Sequence, residues 1–188
     1  MIQLIQQAAD LQHFIRVRQW RSCLIGGIAV IRWGEPRLTR DVDLTLFVGF
    51  GAEESYVQIL LAEFEARIND ARSFALENRV LLLRGPTGIP IDVALAGFPF
   101  EDEMIGRATD FEYAPGIALH TVSAEDLIVL KAFANRLHDW TDIRGVAARQ
   151  RKQLDWAAIR SRLEPLAELK GEPEILERLE TVRASAAR

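Results

Sequence analysis

The sequence predicts an α/β fold, in which a short mixed or antiparallel sheet is flanked by helices and followed by a helical C-terminal region. Three observations carry this. Strand-like and helix-like runs alternate up to residue 122, without an internal repeat. Two β-rich runs, Arg79–Arg84 and Ile89–Ala96, flank the turn sequence Gly85-Pro86-Thr87-Gly88. From Ser123 onward only helical periodicity is left. The expected division is a core at 1–122 and a helical region at 123–188 packed on it.

In chain order, residues 3–18 place Leu4, Ile5, Ala8, Leu11 and Ile15 at spacings of three and four, which predicts an amphipathic helix. Ser22–Ile25 reads as a short buried strand, Gly26-Gly27 as its turn, and Ile28–Trp33 as a helix ended by Gly34-Glu35-Pro36. Leu38–Val48 is the next strand, and Glu53–Ile68 the next helix, with Val57, Leu60, Leu61 and Phe64 on one face. After the hairpin, Phe100–Arg107 predicts a short helix and Phe111–Thr121 one more strand or an extended connection. Ser123 is a good N-cap for a helix over Ala124–Leu137, with Glu125 and Asp126 suiting its dipole. Helices over Thr141–Arg149, Leu154–Leu169 and Glu174–Ala184 follow, and the Ala/Ser/Arg-rich tail is expected to fray.

The 188 residues, 49% hydrophobic and 27% charged, describe a globular chain rather than a disordered one. No apolar run approaches the roughly 20 residues that span a bilayer, and the N-terminus lacks the pattern of a signal peptide, so no membrane association and a cytoplasmic location are expected. The single cysteine, Cys23, sits in an apolar run and reads as a buried thiol. His13, His120 and His138 have no zinc-ligand spacing, and the four tryptophans read as packing residues. The net charge of −4 does not advertise nucleic-acid binding, but six arginines and one acid lie between Arg16 and Arg40. Arg144, Arg149, Arg151 and Lys152 form a second basic cluster.

The chemistry concentrates in Gly26-Gly27, Asp41-Val42-Asp43 and Asp92. On a strand, residues two apart share a face, so Asp41 and Asp43 are expected side by side, opposite Val42 and Leu44. Close carboxylates repel each other and are costly to hold together without a cation. Asp92 interrupts the apolar run IPIDVALA; it is either an edge residue facing solvent or a third carboxylate of the same set. Mg²⁺ takes one or two carboxylates together with substrate phosphates and water. The glycines permit close approach of phosphate to backbone N–H groups at a helix N-terminus. The set therefore points to Mg²⁺ (or Mn²⁺) and a nucleoside triphosphate (NTP), with Arg40 as a further phosphate candidate. Lys131, inside the apolar helix LIVLKAFANRL, either snorkels to water or reaches phosphate. Asp139 and Asp142, three apart, serve either as cap and ion-pair residues or in the site.

This ordered set resembles the nucleotidyltransferase superfamily with the polymerase-beta-like fold. The resemblance implies transfer of a nucleoside monophosphate from an NTP to a hydroxyl, with Asp41 and Asp43 on the metal and Asp92 as base or metal-positioning residue. The segment SAEDLIVLKAFANRLHDWTDIRGV is similar to the helical region of AbiEii/AbiGii-type toxins and related small nucleotidyltransferases, with Lys131, Asp139 and Asp142 matching their lysine and aspartates. His138 stands where those proteins commonly carry Arg or Lys. That similarity implies phosphate contact by Lys131, an RNA acceptor (a tRNA end) and a cognate antitoxin protein. The same metal site would serve a protein-adenylylating or antibiotic-modifying enzyme. A catalytically silent binding module is the rival from another class, although it would have no reason to keep clustered like charges.

Overall fold

The computed structural model describes residues 1–186 of the chain. The end of the tail expected to fray, residues 187–188, lies outside the described residues. The chain forms two compact units, Met1–Ile28 with Leu38–Val122, and Ala29–Arg37 with the chain from Ser123 on.

The first unit is built on a seven-stranded mixed sheet. Helix α1 (Ile2–Arg16) buries Leu4, Ile5, Ala8, Leu11 and Ile15, the apolar stripe of the sequence. Strand β1 (Ser22–Leu24) leads into helix α2 (Gly26–Trp33), so Gly26 and Gly27 open the helix instead of forming a separate turn. The expected strand Leu38–Val48 contracts to β2 (Val42–Phe47). Residues 38–41 are irregular, which places Asp41 one residue ahead of the strand.

The expected helix Glu53–Ile68 is cut short. Helix α3 (Glu53–Glu63) stops where Phe64 takes an extended conformation, φ −114° and ψ 145°. Phe64 is buried edge-on against Phe14, with ring centroids 5.3 Å apart, so packing overrides helical propensity there. The chain then lays down the short strand β3 (Glu65–Ala66) and a helix that the sequence pattern did not predict, α4 (Ala71–Asn78). Strands β4 (Val80–Arg84) and β5 (Pro90–Ala96) form the predicted hairpin. Helix α5 (Pro99–Arg107) follows, and the segment Phe111–Thr121 is a second hairpin, β6 (Thr109–Ala114) and β7 (Ile117–Thr121), turned at Gly116 with φ +75°.

The sheet order is β3-β4-β5-β2-β1-β7-β6. Strand β2 runs parallel to β5 and β1 parallel to β7, and the other neighbours are antiparallel. Val42, Leu44 and Leu46 on β2 and Ile91, Val93 and Leu95 on β5 face one core, which they share with the α1 stripe. The alternation leaves Asp43 and Asp92 on the opposite face.

The second unit is helical: Ala29–Trp33 of α2, then α6 (Ala124–Ala134), α7 (Leu137–Gln150), a 3₁₀ turn at Arg151–Gln153, α8 (Trp156–Lys170) and α9 (Glu174–Ala186). Ser123 caps α6 as expected, its hydroxyl accepting from the Asp126 N–H at 3.1 Å. Helix α6 ends earlier than predicted because Asn135 adopts a left-handed conformation, φ 57°. Helix α7 consequently starts at Leu137, and Asp139 and Asp142 fall in its first turns. Trp140 is fully buried, its Nε1 donating to Asn135 Oδ1 at 2.8 Å.

Candidate functional site

In the first unit the register of β2 and β5 pairs Asp43 directly with Asp92. Both are half-buried on the sheet's non-core face, and Asp41, also half-buried, lies directly ahead of β2. The proximity is felt electrostatically. Burial pushes the Asp92 carboxyl above the usual aspartate range, Arg67 opposes this, and the charge of Asp41 adds to it.

Each carboxylate is held. Asp41 accepts a 3.0 Å hydrogen bond from the hydroxyl of Thr39, itself nearly buried. Asp92 is paired with Arg67, whose guanidinium donates to Oδ1. Asp43 Oδ2 accepts from the Gly27 backbone N–H at 3.4 Å, at the N-terminus of α2. Thr39 and Arg67 were not among the residues the sequence pointed to. Thr39 had a local signal, a hydroxyl two residues before a carboxylate. Arg67 had none, because its position depends on the break at Phe64. There β3 pairs with β4, and the Arg67 N–H donates to the carbonyl of Leu82, the residue that faces Asp92 across β4 and β5.

The two glycines are required by crowding. Gly26 has φ +56°, and a Cβ there would collide with the Asp43 carboxylate. A Cβ on Gly27 would collide with the Thr39 hydroxyl. Gly26→Ala is expected to cost about 1–3 kcal/mol from backbone strain, plus displacement of the Asp43 carboxylate. At Gly51 (φ +87°) an added Cβ would meet nothing within 4 Å, so Gly51→Ala isolates strain from crowding. Thermal melts should show Gly26→Ala losing several degrees more than Gly51→Ala, and equal losses would refute the crowding argument.

Arg40 is exposed and directly precedes Asp41. Lys131, Asp139 and Asp142 belong to the second unit. The Lys131 side chain is 8% exposed, and its ammonium lies 3.0 Å from Asp139 Oδ1 and 2.7 Å from Asp142 Oδ2. Arg136 Nε completes Asp139 at 2.7 Å, and Arg37 binds Asp142 through two bonds of 2.9 and 3.0 Å. The partners of Lys131 in this structure are thus two carboxylates. Two clefts, of about 450 Å³ beside Arg16 and Arg21 and about 640 Å³ beside Trp156, are lined by neither the glycines nor Asp41, Asp43 and Asp92.

A mixed sheet that carries paired aspartates beside a Gly-Gly helix start matches the pattern expected of a nucleotidyltransferase. The chain belongs to the family of nucleotidyl transferases of unknown function DUF2204, which it matches over residues 9–181. Its fold is similar to that of an antigenic nucleotidyltransferase-like protein from Paracoccidioides brasiliensis, at 17% identity, with 94% of this chain and 92% of that chain covered and a TM-score of 0.52. A weaker likeness is to the antibiotic-resistance factor ANT(2'')-Ia, at 19% identity over 98% of this chain and 88% of that one, with a TM-score of 0.42. No curated protein matches the chain. No helix among the described residues is long and apolar enough to cross a membrane.

Proposed function

We propose that this nucleotidyl transferase moves a nucleoside monophosphate from an NTP to a hydroxyl of RNA, with Mg²⁺ or Mn²⁺ held by Asp41 and Asp43. The observation that carries the reading is the direct pairing of Asp43 with Asp92 beside Gly26 and Gly27. Among the described residues no group of three or more His, Cys, Asp or Glu is placed to hold a metal ion together. The donor set nevertheless fits Mg²⁺, which takes one or two carboxylates and completes its shell with water and substrate phosphates. When bound, the ion neutralises triphosphate charge and lowers the pKa of the attacking hydroxyl.

The chain's own residues supply the rest. The N–H groups at the start of α2 receive phosphate oxygens, with Arg40 as a second phosphate contact. The acceptor oxygen bonds to the α-phosphorus, the bond to the bridging oxygen breaks, and pyrophosphate leaves with that electron pair. The hydroxyl proton passes to Asp92, whose raised pKa makes it a better acceptor than an ordinary aspartate. Arg67 occupies Oδ1, so Oδ2 is the oxygen we assign to the proton. Asp92 is alternatively a third metal-positioning ligand. Lys131, Asp139 and Asp142 we assign to the structural centre of the second unit, with no direct phosphate contact.

The acceptor follows from the likeness of residues 123–146 to toxin nucleotidyltransferases, which also supplies a cognate antitoxin as the proposed partner. Incubation with labelled NTPs, Mg²⁺, total cellular RNA and total protein tests this, and label is expected in RNA. Label on protein alone would replace the acceptor with a protein, and label on no acceptor would overturn the enzymatic reading. Expression of the chain alone should slow growth, and the product of its neighbouring gene should relieve that.

A further inference from the structure

The second unit carries a cleft that the transfer reaction does not use. Its volume is about 640 Å³, within the roughly 300–1,000 Å³ range of ligand sites. Arg151, Lys152, Arg183 and the half-buried indole of Trp156 line it, and no acidic residue is among its described lining. The cations have little else to do. Lys152 has no ion pair or hydrogen bond among the described residues, and Arg151 donates only a 3.3 Å bond from Nε to the Ala148 carbonyl. Among the described residues Arg183 has only an exposed pair with Glu180 at 3.3 Å. Arg151 itself is held in a strained conformation, φ 47° and ψ −117°.

The charge also runs out of the cleft in one direction. Arg144 and Ala148 are four apart on α7, hence on one face, Arg151 follows directly at the C-cap of the helix, and all three are exposed. From Arg144 to the end of α7 at Gln150 the helix rises about 9 Å, too far for one phosphate to reach both ends. An indole for a base face, surrounded by cations that extend along a track, is the chemistry of a single-stranded nucleic-acid site.

We infer that this cleft binds a single-stranded RNA segment, with one base stacked on Trp156, its phosphates on Arg151, Lys152 and Arg183, and the strand continuing along α7 to Arg144. The choice of RNA rests on the acceptor reading above, whereas the binding itself requires neither NTP nor metal.

The test is fluorescence anisotropy of a short labelled single-stranded RNA titrated with the full chain in EDTA, at several salt concentrations. Wild type is expected to bind and to lose Trp fluorescence on binding. Trp156→Leu, which keeps an apolar side chain, should weaken binding about tenfold or more. Arg151→Gln with Lys152→Gln should lower the salt slope by about 1.4, from about 0.7 per phosphate contact on a single strand. Circular dichroism establishes that each variant folds, and the charge variants are on exposed residues. Absence of RNA binding, or binding indifferent to these three substitutions, would overturn the inference. So would equal binding of polyglutamate that ignores Trp156, which would make the cleft a site for an acidic protein. Asp43→Asn should bind RNA as wild type does; RNA binding without label transfer in the wild type would sink the proposed reaction and leave this site standing.

Discussion

Asp43→Asn should abolish nucleotidyl transfer while leaving the melting temperature of the metal-free protein unchanged or slightly raised. The substitution keeps the shape of the side chain and an oxygen that can accept the Gly27 N–H bond, so α2 keeps its start. What disappears is one negative charge, opposite Asp92 and near Asp41. Without a cation, that charge is repelled by its neighbours, and its loss relieves the fold. In the proposed complex the same charge holds the cation, and the cation in turn holds the triphosphate. Removing a central charge-stabilising group costs about a thousandfold in rate, and NTP binding in the presence of Mg²⁺ should weaken with it. Asp92→Asn should also lose transfer but retain more NTP binding, since Asp92 is the proposed proton acceptor. Equilibrium binding of a non-hydrolysable NTP, rate assays and thermal melts separate these outcomes. A marked fall in melting temperature for Asp43→Asn without metal would make the residue structural and remove the basis of the proposed reaction.

The contrast between Asp92 and Arg67 shows which parts of this site a sequence can disclose. The aspartate is announced locally: a carboxylate inside an apolar strand has no place on a buried face, and a two-residue period puts it opposite Ile91 and Val93. Its pairing with Asp43 follows once β2 and β5 are neighbours. Arg67 lies in what reads as the last turn of an amphipathic helix, and only the burial of Phe64 against Phe14 breaks that helix and carries Arg67 to Asp92. That contact is long-range and has no period. The mixed α/β class was legible for the same reason as Asp92, from alternating runs and hairpin turns. The missing pieces, α4 and the β6–β7 hairpin, lie where propensities are weak and pairing partners decide. Lys131 is intermediate: the sequence shows a cation buried in an apolar helix, but its anions depend on the corner at Asn135, which sets Asp139 and Asp142 on α7.

That corner makes Lys131 the residue whose loss should harm the fold most. Its ammonium joins two carboxylates, Asp139 fully buried and Asp142 6% exposed, and Arg136 and Arg37 bind their outer sides. Burial alone would raise both carboxyl pKa values. Hydrogen bonds from Arg136 and Lys131 to Asp139, and from Arg37 and Lys131 to Asp142, outweigh it, so both titrate below the ordinary value of 3.8. Lys131→Met fills the space but leaves two buried carboxylates short of a cation. Breaking a buried pair in this way costs about 3–5 kcal/mol, and at about 2–4 °C per kcal/mol for a chain of this size, the melting temperature should fall by roughly 6–20 °C. The sign of the pH dependence follows from the depressed values. The stabilisation is present above the unfolded pKa and is lost as pH falls through the folded values, so wild type should lose this contribution below about pH 4. In Lys131→Met that acid-labile contribution should shrink, and the gap between variant and wild type should narrow as the pH drops. A Lys131→Met protein that melts like wild type at neutral pH, yet binds NTP poorly, would instead return Lys131 to the phosphate contact that its sequence neighbourhood suggests.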